Sequence, residues 1–367
     1  MFTVEPNVST QENSTFNTEC HLTLANYFLV FGYIAVIIIG VMGNVLVVIV
    51  FQVDLKKRPT IDLLIFYLAI FDGLGSFFGP FVFLYWTLTC HKRWDFGWFG
   101  CKTLPTFSRV MTNISTGVIL IMAVDRCRSI IFPFKRRFRK LIIHMAIFVT
   151  VLISVVWESY YISSLHIDMH QTCNTAAVNN HFYAYPLITL VAARSIIFIS
   201  VFSMTTFAVY IKLHNCERLV FLKNNLLNVC NKNKIVMKIL VMMASVFILS
   251  VVPRDIYVLY YTISWLPGDG GIHGESVLNV NHWLRLLQTS NGIYNVFIYG
   301  KMHDYFWKSL QRMLNCRLQS SRESLLTLEK TRRVTESQNL KETEFGGTIK
   351  VTPLLSSASQ NSLKVLI

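Results

Sequence analysis

Polar side chains that can bind an ion stand inside long apolar stretches of this chain. Asp72 follows the apolar run Leu68–Phe71, and Asn44, Ser115, Asn291 and Asn295 lie in similar surroundings. A carboxylate at membrane depth costs at least about 2.5 kcal/mol, so it needs a partner or a task. Carboxylate, hydroxyl and amide oxygens are ligands for a small hard cation. The five side chains therefore predict a cation or water site between helices, or else a static hydrogen-bonded knot.

Two further features interrupt apolar runs. Asp125 and Arg126 close the third run. Adjacent residues on a helix do not face one another, so we expect Arg126 to point inward with Asp125 beside it, or both to reach the headgroups. Pro253 removes one hydrogen bond of a helix and predicts a kink or hinge next to Arg254 and Asp255.

Membrane-crossing helices must position these side chains. Of the 367 residues, 53% are hydrophobic and 15% are charged, whereas a soluble domain carries about 25% charged residues. Apolar runs that are long enough to cross a hydrocarbon core of about 30 Å lie at 27–52, 61–88, 102–127, 141–165, 184–213, 235–265 and 279–299. Strands of about ten alternating residues do not appear, which favours helices over a barrel. The predicted fold class is an all-α membrane protein, a seven-transmembrane helix bundle.

Basic residues orient this predicted bundle. Residues 1–26 contain no lysine or arginine, whereas the first run ends at the basic triplet 56–58. Basic clusters also follow the third and fifth runs. The positive-inside tendency places the amino terminus outside and the carboxyl terminus in the cytoplasm. The net charge of +14 is thereby explained by membrane topology rather than by nucleic-acid binding, and the sequons at Asn7 and Asn13 fall outside, where glycosylation occurs.

This topology divides the eight cysteines into two equal groups. Cys20, Cys90, Cys101 and Cys173 lie outside, where conditions are oxidising. Four cysteines allow three pairings, and their spacing leaves all three open.

One set of motifs runs through the apolar segments in a fixed order. It consists of Gly43-Asn44, Leu68-Ala69 with Asp72, Cys101, Asp125-Arg126-Cys127 with Pro133, Trp157, Tyr210, Phe247 with Pro253, and Asn295-Val-Phe-Ile-Tyr299. In this order the motifs resemble those of the rhodopsin-like G-protein-coupled receptors, over about residues 27–316. The resemblance implies a signalling receptor of the plasma membrane, not an enzyme.

The resemblance also implies roles for individual residues. A sodium ion, as an allosteric modulator, is expected at Asp72, Ser115, Asn291 and Asn295, and no cofactor is required. Arg126 is expected to hold the closed cytoplasmic face and then to contact the heterotrimeric G protein, together with Phe134. The expected activation switch consists of Asp125, Arg126, Tyr210, Phe247, Pro253 and Tyr299. Departures from the family pattern at Phe202, Val251 and Val296 concern the mechanics of switching more than the fold.

Disulfides and domain limits are implied in the same way. Cys101 and Cys173 resemble the pair that joins the third helix to the second outer loop, which leaves Cys20 and Cys90 as a second candidate bridge. An amphipathic eighth helix is expected over 301–316, with palmitoylation at Cys316. The predicted divisions are a glycosylated segment 1–26, a bundle 27–300, this helix, and a disordered cytoplasmic tail 317–367 that offers arrestin and receptor kinases sites of phosphorylation.

The expected ligand site lies in the outer halves of the helices. Ser108 stands where receptors for biogenic amines carry an aspartate, which disfavours a monoamine. The other expected contacts are Arg109, Arg194, Val251, Arg254 and Arg285. Because a buried arginine needs an anionic partner, we expect a ligand with an acidic group.

Two ligand classes compete for this site. A neuropeptide would also use acidic and aromatic outer residues, among them Trp94, Trp98 and Trp265. A lipid carboxylic acid would place its carboxylate on Arg285, and some features resemble prostanoid receptors. A neuropeptide is the preferred prediction.

Other classes of function fit the sequence less well. A retinal-binding protein needs a lysine in the last run, and no lysine occurs between Leu278 and Tyr299. The chain has no His-Glu-x-x-His zinc motif, and nothing indicates the pore ring of a channel. A seven-span transporter is a remote alternative, because no internal repeat is evident.

Overall fold

The fold is a bundle of long helices. The computed structural model describes residues 22–52, 59–132, 138–169, 171–176, 180–220, 224–266, 275–302 and 306–312. Its elements are α1 (Leu24–Gln52), α2 (Thr60–Leu88), α3 (Gly97–Ile131), α4 (Lys140–Trp157), α5 (Ser159–Ser164), β1 (His166–Ile167), β2 (Cys173–Asn174), α6 (His181–Val220), α7 (Asn224–Trp265), α8 (Glu275–Thr289) and α9 (Asn291–Met302).

Six helices in the described part of the chain are long and apolar enough to span a membrane. They cover Leu24–Gln52, Thr60–Leu88, Gly97–Ile131, Lys140–Ser164, His181–Lys212 and Met237–Trp265. These spans match the first six runs predicted from the sequence, to within a few residues at most ends. The molecule is therefore a multi-pass membrane protein.

The distribution of apolar side chains on α1 shows why these helices need lipid. Leu29, Tyr33 and Val47 are fully buried on one face, whereas Phe31 and Met42 are 73% and 68% exposed. A soluble protein would not expose such a large apolar surface. In a bilayer the exposed face meets hydrocarbon, and the helix satisfies its own backbone hydrogen bonds.

The seventh apolar run is interrupted in the structure. The sequence predicts one helix over 279–299, but α8 ends at Thr289 and α9 begins at Asn291. The hydroxyl of Thr289 donates to the carbonyl of Leu286 at 3.0 Å, and the hydroxyl of Ser290 donates to the carbonyl of Leu287 at 2.7 Å. The backbone N–H of Ser290 still donates to the carbonyl of Leu286 at 3.1 Å, so the interruption is confined to one residue. Two consecutive helices thus cover the predicted seventh run.

The expected amphipathic helix is only partly described. Residues 306–309 are helical, and Phe306 is buried, with its ring centroid 6.3 Å from that of Phe51. A second unit begins at Leu310, and residues 310–312 of it are described as helical. The amphipathic helix over 301–316 therefore stays a prediction.

A short hairpin and a disulfide close one end of the bundle. Strands β1 and β2 are antiparallel, with His166 opposite Asn174 and Ile167 opposite Cys173. Cys173 is bonded to Cys101 near the start of α3, so the predicted pairing is present. Below the hairpin lies a buried cluster that includes Trp86, Trp94, Tyr161, Leu165, Tyr183 and Leu187. We call this end of the bundle the disulfide end.

Candidate functional site

A polar cavity lies beneath the disulfide end. The volume inside it that a water-sized group can occupy is about 60 Å³, and the cavity is partly open to solvent. The predicted ligand contacts on its wall are Ser108, Arg109, Arg194, Arg254 and Arg285. Val251, the sixth predicted contact, is fully buried and does not line the cavity. Val251 as a ligand contact therefore stays a prediction.

Close packing of α2 on α3 positions one wall of the cavity. A Cβ atom at Gly79 would lie 2.6 Å from the Ser108 hydroxyl, so a larger residue at 79 would require this hydroxyl to move. Arg109, the next residue after Ser108, lies on the same wall.

Arg109 is held by protein groups. Its Nε donates to the Glu158 carboxylate at 2.5 Å, and its Nη2 donates to the Tyr160 hydroxyl at 2.5 Å. The guanidinium group also lies 4.3 Å from the ring centroid of Tyr161. Asn113 donates to the second oxygen of Glu158 at 2.8 Å. Arg109 therefore has an internal anion, and its expected role as a ligand contact has a structural alternative.

Arg194 is likewise paired with a carboxylate, although its Nε atom is buried without a hydrogen-bond partner among the described residues. It pairs with Asp255 of α7 and donates to the amide oxygen of Asn113 at 2.9 Å. The Ser195 hydroxyl donates to the other oxygen of Asp255 at 2.8 Å. These bonds connect α3, α6 and α7, so Arg194 faces the interior of the bundle rather than lipid.

Arg254 and Arg285 have no carboxylate partner among the described residues. Arg254 donates to the side-chain oxygen of Gln288, a neutral group three residues beyond Arg285. Arg285 is buried, and its guanidinium group lies 5.1 Å from the ring centroid of Phe83. The Nε atoms of both arginines are buried without a hydrogen-bond partner in the described part of the chain.

The cavity consequently carries an excess of positive charge. Four arginines line it, and the carboxylates of Glu158 and Asp255 pair with two of them. Two positive charges remain on Arg254 and Arg285. Because an unpaired buried charge is costly, this arrangement favours an anion at the site.

A second cavity, walled in part by the same residues, lies deeper in the bundle. Asp72, Ser115 and Asn291 line it together with Ser108 and Thr289, which also line the first cavity. The two cavities therefore adjoin.

The predicted sodium ligands are grouped around this second cavity. Asp72 accepts from the Ser115 hydroxyl at 2.7 Å and from the Asn295 amide at 2.7 Å. Asn291 instead accepts from the Ser250 hydroxyl at 3.1 Å. The Asn295 oxygen is buried without a hydrogen-bond partner among the described residues. These side chains supply carboxylate, hydroxyl and amide oxygens, and the Asn295 oxygen has no other partner, so the set fits a small cation.

The predicted pair Asp125 and Arg126, at the opposite end of the bundle, forms an ion pair. Arg126 pairs with Asp125, and both contact Thr60 of α2: Thr60 donates to Asp125 at 3.1 Å, and Arg126 donates to Thr60 at 3.3 Å. Both charged side chains are buried. The arginine thus lies inside the bundle, held to its neighbour and to α2.

The remaining predicted switch residues are spread over several helices. Phe247 of α7 packs on Phe198 of α6 with ring centroids 4.2 Å apart, and Pro253 lies within α7. Tyr299 is fully buried, whereas Tyr210 is 64% exposed. In this conformation Tyr210 does not join the buried group at Arg126.

Several other predicted sites fall outside the described residues. These are Asn7, Asn13, Cys20, Phe134 and Cys316. Cys90 is described and is disulfide-bonded, but the predicted bridge to Cys20 stays a prediction.

The sequence did not indicate which residues bond the cavity arginines. Glu158 and Asp255 pair with Arg109 and Arg194. Glu158 lies near the end of an apolar run, and a carboxylate in such a position indicates that it has a partner inside the bundle. Asn113, Tyr160 and Gln288 carried no comparable signal, because a single neutral polar residue is common in such helices.

Comparison with protein families decides the class of the molecule. Residues 43–299 match the family described as 7 transmembrane receptor (rhodopsin family). This chain belongs to that family. It is a rhodopsin-like G-protein-coupled receptor, a member of a family of signalling receptors and not of enzymes.

Individual relatives of this receptor are distant. It is 35% identical to an allatostatin-A receptor of Bombyx mori over 104 residues, which cover 28% of this chain and 27% of that protein. It is 24% identical to melanopsin-B of Xenopus laevis over 80% of this chain and 55% of that protein. A somatostatin receptor type 2 of Sus scrofa is 32% identical over 34% of this chain and 33% of its own length. The matches thus span from about a quarter to about half of these relatives.

A solved structure shares the fold of the receptor. The crystal structure of squid rhodopsin superposes with a TM-score of 0.66 and 18% sequence identity, covering 82% of this chain and 88% of that chain. At this identity the likeness concerns the fold alone.

Proposed function

We propose that this receptor binds an extracellular ligand with an acidic group and activates a heterotrimeric G protein. The observation that carries the proposal is the pair Arg254 and Arg285, which line one cavity and have no carboxylate partner among the described residues. The proposed orientation has the disulfide end outside the cell and Arg126 at the cytoplasmic face. Helices α8 and α9 together form the seventh span.

A neuropeptide is the ligand class that we propose first. The cavity is partly open to solvent, so one end of a peptide can enter while the rest remains outside. Relatives named as receptors for allatostatin-A, somatostatin and angiotensin II support this class. Trp98 is 65% exposed and available to a bound peptide, whereas Trp94 is buried in the core. We therefore do not include Trp94 among the proposed contacts of the peptide.

A lipid carboxylic acid is the second candidate. Arg285 is buried beside Phe83, and this combination of a cation with an apolar wall suits a carboxylate that is joined to a hydrocarbon chain. The same two arginines would hold the acid group of either ligand. The classes differ in the remainder of the ligand, which must be solvated for a peptide and enclosed for a lipid.

Retinal does not fit this receptor, although its fold is that of squid rhodopsin. The Schiff base of retinal needs a lysine in the last span. The sequence has none between Leu278 and Tyr299, and Lys301 lies in the last turn of α9.

Signalling follows from coupling between the two ends of the bundle. A ligand that binds one conformer better shifts the population toward it, and a G protein that prefers the same conformer gains affinity by the same factor. In the structure described here, Asp255 ties α7 to α6 through Arg194, and Arg126 is closed on Asp125 and Thr60. The proposed activating change separates both sets of contacts so that Arg126 reaches the G protein.

Additional partners are proposed from the family. Sodium would be held by Asp72, Ser115, Asn291 and Asn295, and it would stabilise the resting arrangement of these helices. Glycosylation at Asn7 and Asn13, palmitoylation at Cys316, and binding of arrestin and receptor kinases by the tail complete the proposal.

A ligand screen tests the proposed function. Cells that express the receptor are exposed to acidic neuropeptides and to lipid acids, and calcium and cyclic AMP are measured. Cells that express the Arg126→Ala variant serve as the control, with surface expression matched to wild type. A response that requires Arg126 supports the proposal, and its library identifies the ligand class. If cells that lack the receptor respond equally to the ligand, the response does not come from this receptor, and G-protein signalling by this chain is contradicted.

A further inference from the structure

Two buried guanidinium groups face the outer cavity without a counter-ion from the described part of the chain. Arg285 is 3% exposed. Arg254 reaches the side chain of Gln288, which lies one turn beyond Arg285 on α8. The two arginines therefore approach the same part of the wall from α7 and from α8.

These two arginines cannot become neutral by losing a proton. The guanidinium group remains protonated in proteins, so Arg254 and Arg285 keep their charges at every physiological pH. The neutral oxygen of Gln288 and the ring of Phe83 offset only part of that charge. A buried charge without an anion is strongly destabilising.

Two described carboxylates near these arginines, Glu158 and Asp255, already have other partners. Glu158 accepts from Arg109 and Asn113, and Asp255 accepts from Arg194 and Ser195. Moving either carboxylate to Arg254 or Arg285 would leave its present arginine unpaired. Among the described residues no carboxylate remains for Arg254 or Arg285, so an anion from solution fits this place.

We propose that a chloride ion binds between Arg254 and Arg285 when no ligand occupies the cavity. Chloride is the abundant small anion outside cells, and the cavity is partly open to solvent. The hydroxyl group of Ser108 on the same wall can donate an additional hydrogen bond. The acidic group of the ligand displaces the chloride, and this second part of the proposal rests on the proposed function.

Chloride binding is measured on the purified full-length receptor without ligand. Thermal unfolding is followed in sodium chloride and in sodium gluconate at equal concentration, so sodium and ionic strength remain constant. We expect chloride to raise the unfolding temperature by about 2–4 °C in a saturable manner, since a ligand of the folded state stabilises it by mass action. Equal unfolding temperatures in the two salts would overturn the proposal.

Variants locate the site. Arg254→Gln and Arg285→Gln should each reduce the chloride increment, and the double variant should lose it. Because these changes remove unpaired buried charges, the variants should be at least as stable as wild type in gluconate. Arg93→Gln is the control, since Arg93 is exposed and pairs with Asp95, and it should retain the full increment. An undiminished increment in the double variant would contradict the proposed location.

Two measurements on the wild-type receptor complete the test without any substitution. The ³⁵Cl resonance of chloride should broaden on adding receptor and recover on adding bromide, which competes for the same site. Recovery with phosphate or bicarbonate at lower concentration than with bromide would overturn chloride as the preferred anion. Agonist potency should rise when gluconate replaces chloride, and unchanged potency would contradict displacement while leaving receptor function intact.

Discussion

Arg194 of α6 and Asp255 of α7 form an ion pair between two helices that border the cavity. The same Asp255 accepts a hydrogen bond from Ser195 at 2.8 Å. Asp255 is thus an internal anion at the wall of a cavity that favours anions, and it holds α7 against α6.

Removing the charge of Asp255 should release α7. We expect Asp255→Asn to raise ligand-independent G-protein activation by about fivefold or more, since couplings of this kind are worth about 1–3 kcal/mol. Activation is measured as nucleotide exchange at matched surface expression. Asp95→Asn removes an exposed carboxylate that also pairs with arginine and should leave basal exchange unchanged. Basal exchange at the wild-type level in Asp255→Asn would show that this ion pair does not restrain α7.

Glu158 should matter for stability, because it is the anion of Arg109. Glu158→Gln leaves a buried guanidinium group unpaired, and we expect a loss of about 3–5 kcal/mol in stability, seen as a lower unfolding temperature. The double variant Arg109→Met with Glu158→Gln removes both charges and should recover much of the loss. If the losses of Glu158→Gln alone and Arg109→Met alone simply added in the double variant, the pair would not act as a unit.

His91, in the segment between α2 and α3, should make stability depend on pH. Burial, the charge of Arg285 and the neighbouring His282 hold the pKa of His91 well below its usual 6.5. The unfolded chain therefore binds a proton near pH 6.5 while the folded receptor does not, so stability should fall as the pH drops below about 6.5. The slope contributed by one histidine is at most about 1.4 kcal/mol per pH unit.

His91→Gln tests this dependence. The variant should lose less stability than wild type between pH 6.5 and pH 5. His144→Gln is the control, since that histidine is exposed and bonded to Tyr67 at 2.8 Å. Parallel curves for wild type and His91→Gln would exclude His91 as the origin of the pH effect.

Asp72 should control any effect of sodium on the ligand. We expect Asp72→Asn to abolish the decrease of agonist affinity when sodium replaces potassium at constant ionic strength. Ser115→Ala removes one hydroxyl that donates to Asp72 at 2.7 Å, and it should weaken the effect rather than abolish it. An unchanged sodium effect in Asp72→Asn would place the ion elsewhere.

The sequence was sufficient to predict most of the scaffold. In lipid a single apolar segment can satisfy its backbone hydrogen bonds only as a helix, so six spans could be predicted from the apolar runs alone. The interruption at Ser290 could not be predicted, because threonine and serine hydroxyls make the same local bonds inside helices that continue unbroken. The pairing of Cys101 with Cys173 came from the family resemblance, since the spacing alone left three pairings open.

The composition of the site was predictable, but its pairing was not. Four arginines on different helices were expected to meet in one cavity, and they do. Which arginine has a carboxylate depends on how the helices are rotated and on side-chain reach. Neighbours in sequence, Arg254 and Asp255, take different partners on α8 and α6. Only the structure separates the two paired arginines from the two unpaired ones.

The most direct test of the central claim compares an acidic agonist with its uncharged amide on wild type and on Arg285→Gln, with potency measured as G-protein nucleotide exchange. We expect the variant to weaken the acidic agonist by about 10- to 100-fold, since charge-assisted hydrogen bonds contribute about 1.5–3 kcal/mol, and to change the potency of the amide far less. Equal losses for the acid and the amide would contradict recognition of an acidic group by this cavity.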